Sequence, residues 1–221
     1  MDFLFRFLRL FFRLLYHELA WTYDFVSVFV SGGRWDAWRN SVIPFLQGPA
    51  VLELGFGPGH LLRELQRHGY NPIGLDSSRQ MSRLANKNLR ASGLFPRLVR
   101  ANGEFLPFRY SSFNCVVATF PTNYIFLPST IFEIERILRP NGRLVILISA
   151  WITGRSLVSR FLAWLFRFTG QVLPDQIIRP ELLAPFSSAG LDPHLEWVTL
   201  PGSRLLMIIA EKTSFTKFNN L

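Results

Sequence analysis

At residues 51–60 the chain reads Val-Leu-Glu-Leu-Gly-Phe-Gly-Pro-Gly-His, with three alternate glycines after an apolar run. The apolar run at residues 50–54 is typical of a buried strand. Behind the glycines, four residues recur at helical spacing, namely Leu61, Leu62, Leu65 and His68. A strand, a glycine turn and a helix in this order present backbone N–H groups to an anionic or carboxylate-bearing ligand. A purely structural turn between strand and helix is the alternative.

The glycine spacing differs from the G-x-G-x-x-G of a dinucleotide-binding turn, because only Pro58 separates the second and third glycines. An acid, Glu53, lies two residues before the first glycine. This pattern resembles the first motif of the class I S-adenosylmethionine (SAM) dependent methyltransferases. The resemblance implies that SAM is the co-substrate. It also implies a SAM site that includes Glu53, Gly55, Gly57 and Gly59, with Glu53 at the methionyl end.

The same resemblance implies an α/β fold. We expect a Rossmann-like, doubly wound, mostly parallel seven-stranded sheet in the order 3-2-1-4-5-7-6, with the last strand antiparallel. We assign residues 1–48 to N-terminal amphipathic cap helices and 49–221 to the SAM-binding domain, with a helical insertion at about 151–178 after strand 5. The patterns predict strands at 50–54, 71–75, 95–101, 113–120, 144–148, 196–200 and 205–212, and helices at 34–46, 80–91 and 180–189.

An acid also ends the predicted second strand, where the chain reads Gly-Leu-Asp-Ser-Ser at residues 74–78. Asp76 lies about 20 residues beyond the glycines, where a carboxylate accepts two hydrogen bonds from vicinal ribose hydroxyls in the related dinucleotide fold. The resemblance adds Ser77 and Met81 to the SAM site. The alternative is that Asp76 or Ser77 caps the following helix.

Two further segments carry the resemblance. Residues 102–108, Asn-Gly-Glu-Phe-Leu-Pro-Phe, resemble the family's Asp-Ala-Glu-x-Leu-Pro-Phe loop beside the adenine, which implies roles for Asn102, Gly103 and Glu104. An amide at Asn102 still accepts a hydrogen bond, without the assistance of a charge. After the fourth strand, whose Thr119 joins the implied site, a helix capped by Ser129 or Thr130 leads to residues 139–144. That segment is similar to the family's Arg-x-Leu-x-Pro-Gly-Gly-x-Leu turn, with Asn141 tolerating the left-handed backbone.

Composition bounds the remaining functions. The chain has 221 residues, which suits one α/β domain, an apolar fraction of 49% and a net charge of +9. Only three of its 24 basic residues are lysines, and arginine suits lipid headgroups and nucleic acid alike. A solvated basic surface is the alternative. The single cysteine, Cys115, excludes an intrachain disulfide and a cysteine metal cluster, and we expect no metal and a core position for this residue.

The N-terminus combines a basic stripe with a wide apolar face. Asp2, Arg6, Arg9, Arg13 and His17 fall within roughly an 80° arc of a helix, and nearly every other residue from Phe3 to Tyr16 is Phe, Leu or Tyr. Such a helix lies in a membrane plane, docks in a groove or oligomer interface, or closes over the site. Residues 151–173 form a second cationic amphipathic segment. No run approaches the ~18–20 apolar residues of a membrane span, and no signal peptide is evident. We expect a cytoplasmic protein, peripheral on the inner membrane face.

Residues 21–39 contain Tyr23 and Asp24, followed by a Gly-x-Trp-x-x-Trp-Arg segment. This lead resembles the ubiquinone/menaquinone-biosynthesis type of methyltransferase. Methyl transfer is an in-line displacement from a sulfonium, so the site mainly aligns the reactants and excludes water. A base is needed only if the acceptor loses a proton. The candidates are His60, Tyr23, Asp24 and Tyr124, and His60 alternatively caps its helix.

For the acceptor we expect a small hydrophobic molecule, such as a quinone precursor or a lipid, because basic aromatic segments flank the predicted site. The sequence argues against a nucleic-acid amino methyltransferase, since residues 120–124, Phe-Pro-Thr-Asn-Tyr, are not the Asn/Asp-Pro-Pro-Tyr motif that such an enzyme carries after the fourth strand. Two alternatives stay open, a soluble small-molecule acceptor and a non-catalytic SAM-binding subunit whose Phe-rich first helix docks on another protein; an oligomer is also possible.

Overall fold

A computed structural model describes residues 33–153 and 182–213 of the chain. Several predictions from the sequence therefore lie outside the described residues. They are the helix at residues 1–20, the candidate bases Tyr23 and Asp24, and the insertion beyond residue 153. The domain boundary at residue 48 and the helical insertion stay predictions.

Seven strands form one sheet in the order β3-β2-β1-β4-β5-β7-β6, which confirms the predicted fold class. The first five strands run parallel to one another, whereas β7 lies antiparallel to both β5 and β6. The order reverses between β1 and β4, and this switch point is where α/β sheets of this kind bind ligands. The strands are β1 (Ala50–Leu54), β2 (Asn71–Asp76), β3 (Leu98–Arg100), β4 (Phe113–Thr119), β5 (Leu138–Ile152), β6 (Leu191–Leu200) and β7 (Ser203–Lys212).

Helices cover both faces of the sheet. In the described residues they are α1 (Trp35–Asn40), α2 (His60–Arg67), α3 (Arg79–Ala91), α4 (Pro128–Ile137) and α5 (Ala184–Ser188), with short 3-10 helices at Ile43–Phe45 and Asn123–Phe126. One core cluster joins α1 and α2 to the sheet through Trp38, Leu61 and Val117. The other joins α4 and α5 through Ile131 and Phe186. Strands that are buried on both faces read as continuous apolar runs, as residues 51–54 do.

Several predicted boundaries are wrong, each for a local physical reason. The helix predicted at residues 34–46 ends at Asn40, and a 3-10 turn with Pro44 in its first turn follows it. Neither Ser129 nor Thr130 caps α4, because that helix already begins at Pro128. The cap of α3 is Ser78, whose hydroxyl accepts a hydrogen bond from the Met81 N–H at 3.2 Å, so neither Asp76 nor Ser77 has that role.

Strand lengths also differ from the sequence patterns. β3 is limited to three residues, and Phe95, assigned to this strand from the sequence, is 73% exposed. β6 is longer than predicted because β7 pairs with it along its whole length. β5 continues to Ile152 because it also pairs with β7, and it begins earlier than predicted because Leu138 pairs with Phe113 of β4. Asn141 has a φ of 60°, which agrees with the left-handed turn expected there. Cys115 is fully buried in the core, as predicted.

Candidate functional site

The glycine turn between β1 and α2 is built from backbone that only glycine adopts easily. Gly55 has a φ of 71° and donates its N–H to the Leu75 carbonyl at 2.7 Å, which holds the turn against the end of β2. Gly59 has a φ of 83° and caps α2. A Cβ at Gly59 would lie 2.9 Å from the Ala85 Cβ, so this glycine also allows α2 to approach α3 closely.

Asp76 ends β2 and links that strand to the glycine turn. Its Oδ2 accepts a hydrogen bond from the Gly57 N–H at 3.0 Å, and its Oδ1 accepts one from the Ser78 N–H at 2.8 Å. Burial raises the pKa of the Asp76 carboxyl, while the N–H groups of Ser78, Gly57 and Ser77 oppose that change. A carboxylate has about four acceptor sites, so Asp76 retains capacity for ligand hydroxyls after binding two N–H groups.

A cavity of about 440 Å³ opens at the carboxyl ends of β1, β2 and β4. This size is within the range of small-molecule and cofactor sites. Backbone groups, polar side chains and apolar side chains all contribute to its walls. The lining residues are Gly55, Gly57, Leu75, Asp76, Ser77, Ser78, Met81, Ala101, Asn102, Gly103, Thr119, Phe120, Pro121, Thr122 and Tyr124.

Most of the site residues inferred from the sequence meet in this cavity. Those that line it are Gly55, Gly57, Asp76, Ser77, Met81, Asn102, Gly103, Thr119 and the candidate base Tyr124. Four others do not line it: Glu53, Gly59, His60 and Glu104. The ligand roles of the lining residues remain predictions, because location in the cavity is a weaker statement than contact with a ligand.

The four residues outside the lining have other positions. Gly59 packs on Ala85, and His60 is the first residue of α2. The Glu104 carboxylate accepts a hydrogen bond from the Ser129 hydroxyl at 2.8 Å, so it faces α4. Glu53 lies in β1, two residues before Gly55, and is 1% exposed.

Glu53 is a buried acid with one unused oxygen. Burial raises the pKa of its carboxyl to about 8, although the Arg39 guanidinium and the Leu62 N–H favour the charged form and Asp76 disfavours it. The N–H of Leu62 is one of the first backbone groups of α2, so Glu53 helps to cap a helix whose own N-cap is a glycine. Within the described part of the chain its Oε2 has no hydrogen-bond partner.

Six lining residues were missed by the sequence analysis: Leu75, Ser78, Ala101, Phe120, Pro121 and Thr122. Their positions at or just beyond strand ends were the available signal. Phe120 has an additional feature that no sequence pattern reveals, a left-handed φ of 48°. Its ring stacks on Trp35 with centroids 4.6 Å apart, which fixes an aromatic wall beside the cavity. Left-handed backbone in a bulky residue is a rare, strained state that concentrates at functional sites.

In residues 33–153 and 182–213, no group of three or more His, Cys, Asp or Glu side chains is arranged to hold a metal ion. No helix in that same part of the chain has the length and apolar character needed to cross a membrane.

Comparison with known proteins places the cavity within a recognised domain. Residues 52–146 match the family described as a methyltransferase domain. The ubiquinone/menaquinone biosynthesis C-methyltransferase UbiE of Blochmanniella floridana is 34% identical over 142 residues, which cover 60% of this chain and 56% of that relative. The demethylmenaquinone methyltransferase of Thermus thermophilus is 30% identical over 139 residues, covering 60% and 63% respectively. The chain therefore matches less than two thirds of the length of these relatives.

Solved structures agree on the fold. A candidate SAM-dependent methyltransferase from Methanococcus maripaludis superposes with a TM-score of 0.67 at 18% identity, over 90% of this chain and 94% of that one. Geranyl diphosphate C-methyltransferase from Streptomyces coelicolor, solved with Mg²⁺, geranyl diphosphate and S-adenosylhomocysteine, gives 0.59 at 17% identity, over 80% and 79%. At these identities the likeness establishes the fold alone.

Proposed function

We propose, from the match of residues 52–146 to a methyltransferase domain, that the chain is a class I SAM-dependent methyltransferase that transfers the SAM methyl group to a small acceptor molecule. The observation that carries the proposal is the cavity of about 440 Å³ at the topological switch point of the sheet. Polar groups from three successive strand ends border this cavity. That is where folds of this class bind ligands.

The residues present fit SAM by their chemistry. The Asp76 carboxylate has acceptor capacity left for two ribose hydroxyls. Asn102 and Gly103 border the cavity at the end of β3, where an amide suits the adenine amino group. Gly55, without a side chain, lets the methionyl end approach the backbone of the turn. Glu53 does not line the cavity, and its carboxyl supports the site indirectly by accepting a hydrogen bond from the Leu62 N–H in the first turn of α2.

Bound SAM supplies an electrophilic methyl group on a sulfonium. The residues of this chain would align the acceptor with that methyl group and exclude water, an effect worth about 7–11 kcal/mol in the best cases. Phe120 and Pro121 provide an apolar wall on the β4 side of the cavity. Among the candidate bases, Tyr124 lines the cavity, yet burial raises the pKa of its phenol further above the ordinary value. A neutral Tyr124 suits hydrogen bonding better than proton abstraction.

For the acceptor we infer a small hydrophobic molecule, such as a quinone precursor or a lipid-like compound. The apolar side chains in the lining support this class, and the relatives named above act in quinone biosynthesis according to their names. Delivery from a membrane surface through residues 1–20 and 151–173 is part of the same proposal, as is a location on the inner membrane face. It rests on the basic and aromatic composition of those segments.

The test combines binding with turnover. Purified full-length protein is titrated with SAM by calorimetry and then incubated with methyl-labelled SAM and a membrane extract, with boiled protein as the control. We expect saturable binding and a labelled small molecule that mass spectrometry identifies from its mass increase. Failure to bind SAM would overturn the cofactor assignment. Binding without any labelled product in membrane or soluble extracts would instead favour a non-catalytic SAM-binding subunit.

A further inference from the structure

Helix α3 carries a stripe of positive charge along its outer face. Its cations are all exposed and, at 100° per residue, fall within roughly an 80° arc, namely Arg79, Arg83, Lys87 and Arg90. The opposite face of the helix is buried in the core. We propose that these four residues, together with Arg100 of β3, form a basic face that docks on an anionic phospholipid surface. This docking goes beyond the proposed methyl transfer and does not depend on it.

The edge strand β3 continues the positive surface of α3. β3 is the outermost strand of the sheet, and its Arg100 is exposed. Side chains two residues apart in a strand point to the same side, so Arg100 lies on the side of Leu98. Leu98 packs against the core cluster that contains Leu62 of α2 and Ala85 of α3. Arg100 therefore adds its charge to the side of the sheet that α3 covers.

No acidic side chain compensates the basic face from its own segment. Residues 77–103 contain six basic residues and no acidic one. None of the ion pairs between described residues involves this segment. On the neighbouring α2 the acid Glu64 is already paired with Arg63 and Arg67. The like charges of the basic face repel one another, and an anionic partner relieves that repulsion.

The composition of this segment favours a lipid surface over a nucleic acid. Proteins that bind single-stranded nucleic acid stack successive bases on several aromatic side chains. Phe95 is the only aromatic residue in residues 77–103. It follows α3 and is 73% exposed, so it is an apolar side chain free to enter a headgroup layer. Three of the four cations of α3 are arginines, whose guanidinium groups bind phosphate in bidentate fashion.

One end of the basic face reaches the rim of the cavity. Arg79 directly follows Ser78, Arg100 directly precedes Ala101, and both Ser78 and Ala101 line the cavity. Docking on this face therefore brings that side of the cavity close to the headgroups. Each basic residue near an anionic surface strengthens binding about fivefold. Four such charges give weak, reversible binding, so the basic face supplements an apolar anchor and sets the orientation of the protein.

The test compares two double variants that lose the same charge. Arg83→Gln/Lys87→Gln neutralises the middle of the basic face and leaves Arg79, beside the cavity, intact. Arg109→Gln/Arg204→Gln removes two exposed arginines elsewhere, from the loop after β3 and from β7. Both full-length variants and the wild type are titrated with phosphatidylcholine vesicles that contain about one third phosphatidylserine, and with pure phosphatidylcholine vesicles.

We expect Arg83→Gln/Lys87→Gln to bind the phosphatidylserine vesicles about 25-fold more weakly than the wild type. The control should stay within about twofold, because exposed charges far from the docked surface are screened. Equal losses in the two double variants would show that net charge alone acts and would overturn the inference, as would no loss in either. Tighter binding of the wild type to RNA or duplex DNA than to these vesicles, lost in Arg83→Gln/Lys87→Gln, would also overturn it.

A footprint on the wild type avoids any dependence on how the variants fold. Lys87 is exposed, so its amine reacts with an acetylating reagent in the free protein. We expect phosphatidylserine vesicles to slow the acetylation of Lys87 several-fold and pure phosphatidylcholine vesicles to leave it unchanged. Undiminished acetylation of Lys87 in vesicle-bound protein would overturn the inference. SAM binding is measured by calorimetry on the same preparation, and its absence would contradict the proposed function without changing the result at Lys87.

Discussion

The Asp76 Oδ2 accepts a hydrogen bond from the Gly57 N–H at 3.0 Å, so the acid at the end of β2 orders the glycine turn after β1. The carboxylate therefore has two duties in this site. One is to hold the backbone of the turn in its ligand-ready form. The other, under the proposed function, is to receive the ribose hydroxyls through its remaining acceptor sites.

Substitution of Asp76 is expected to weaken SAM binding. Asp76→Ala removes the ribose acceptor and the support of the turn together, so we expect at least a 100-fold loss of affinity by calorimetry, about 3 kcal/mol. Asp76→Asn retains one acceptor oxygen and should lose less. Asp192→Asn, at an exposed position of β6, is the control and should bind SAM like the wild type. Unchanged affinity in Asp76→Ala would exclude Asp76 from the site.

Glu53 is expected to make stability depend on pH. Its folded-state pKa of about 8 exceeds the ordinary 4.5, so the folded state keeps a proton that the unfolded chain releases. The contribution of this bound proton to the free energy of unfolding is complete below pH 4.5 and is lost as the pH rises to about 8. At about 1.4 kcal/mol per pH unit the loss approaches roughly 5 kcal/mol. Arg39, Asp76 and Tyr124 are the charged or titratable groups that face this carboxyl.

Glu53→Gln removes this titration, because glutamine resembles the protonated acid at every pH. Urea unfolding at several values between pH 5 and pH 8.5 measures the free energy of unfolding of both proteins. We expect the glutamine variant to gain stability relative to the wild type as the pH rises. A difference between the two proteins that does not change with pH would contradict the raised pKa.

Phe120 is expected to show strain in its backbone. Because the φ of Phe120 is 48°, glycine should be more stable than alanine at this position, although alanine is usually the more stable of the two. Both Phe120→Gly and Phe120→Ala lose the stack on Trp35, so their difference isolates the backbone. We expect the glycine variant to be more stable than the alanine variant by about 1 kcal/mol in urea unfolding. Ala118 in β4 is the control, and Ala118→Gly should lower the free energy of unfolding. If glycine is likewise less stable than alanine at position 120, the backbone of Phe120 is not strained.

Arg136 is expected to hold the loop that follows β3. Its guanidinium donates to the carbonyls of Leu106 and Phe108 at 2.9 and 2.8 Å, and Glu133 accepts from the Leu106 N–H. Arg136→Ala leaves these groups without their partners, so we expect a loss of about 2 kcal/mol in the free energy of unfolding.

The control for this loop is Arg90→Ala, which removes an exposed arginine bonded to Asn86 one helical turn away. It should change stability by less than about 0.5 kcal/mol. Hydrogen exchange at the amides of Phe105, Leu106 and Phe108 should increase in Arg136→Ala and not in Arg90→Ala. Equal exchange in both variants would show that Arg136 does not hold the loop.

The N-terminal segment is expected to provide membrane affinity. Deleting residues 1–20 removes three arginines and most of a Phe-rich apolar face, so co-flotation with anionic liposomes should be lost while SAM binding is kept. Neutral liposomes are the control, since attraction to arginine requires anionic lipid. Flotation that persists after the deletion would transfer the anchor to another surface, with residues 151–173 as the next candidate.

The amino-acid sequence by itself carried the resemblance to a methyltransferase family and, through that resemblance, the expected sheet order. Apolar runs, glycine spacing and the acid at residue 76 are local features, because strand period, turn geometry and helix caps depend on neighbours along the chain. For the same reason most cavity residues near the glycine turn and at strand ends were identified in advance. The errors at helix starts came from competing local signals, such as Pro128 ahead of Ser129.

Only the tertiary structure decided which side chains line the cavity and which pack behind its walls. Glu53 was expected at the methionyl end of the ligand, and the structure buries it in β1 beside Arg39 and the first turn of α2, outside the cavity lining. Tyr124 reaches Gly55 and Gly103 from a segment remote in sequence, and Phe120 adopts its left-handed backbone beside Trp35. Contacts between distant segments depend on packing, and packing leaves no periodic pattern in the sequence.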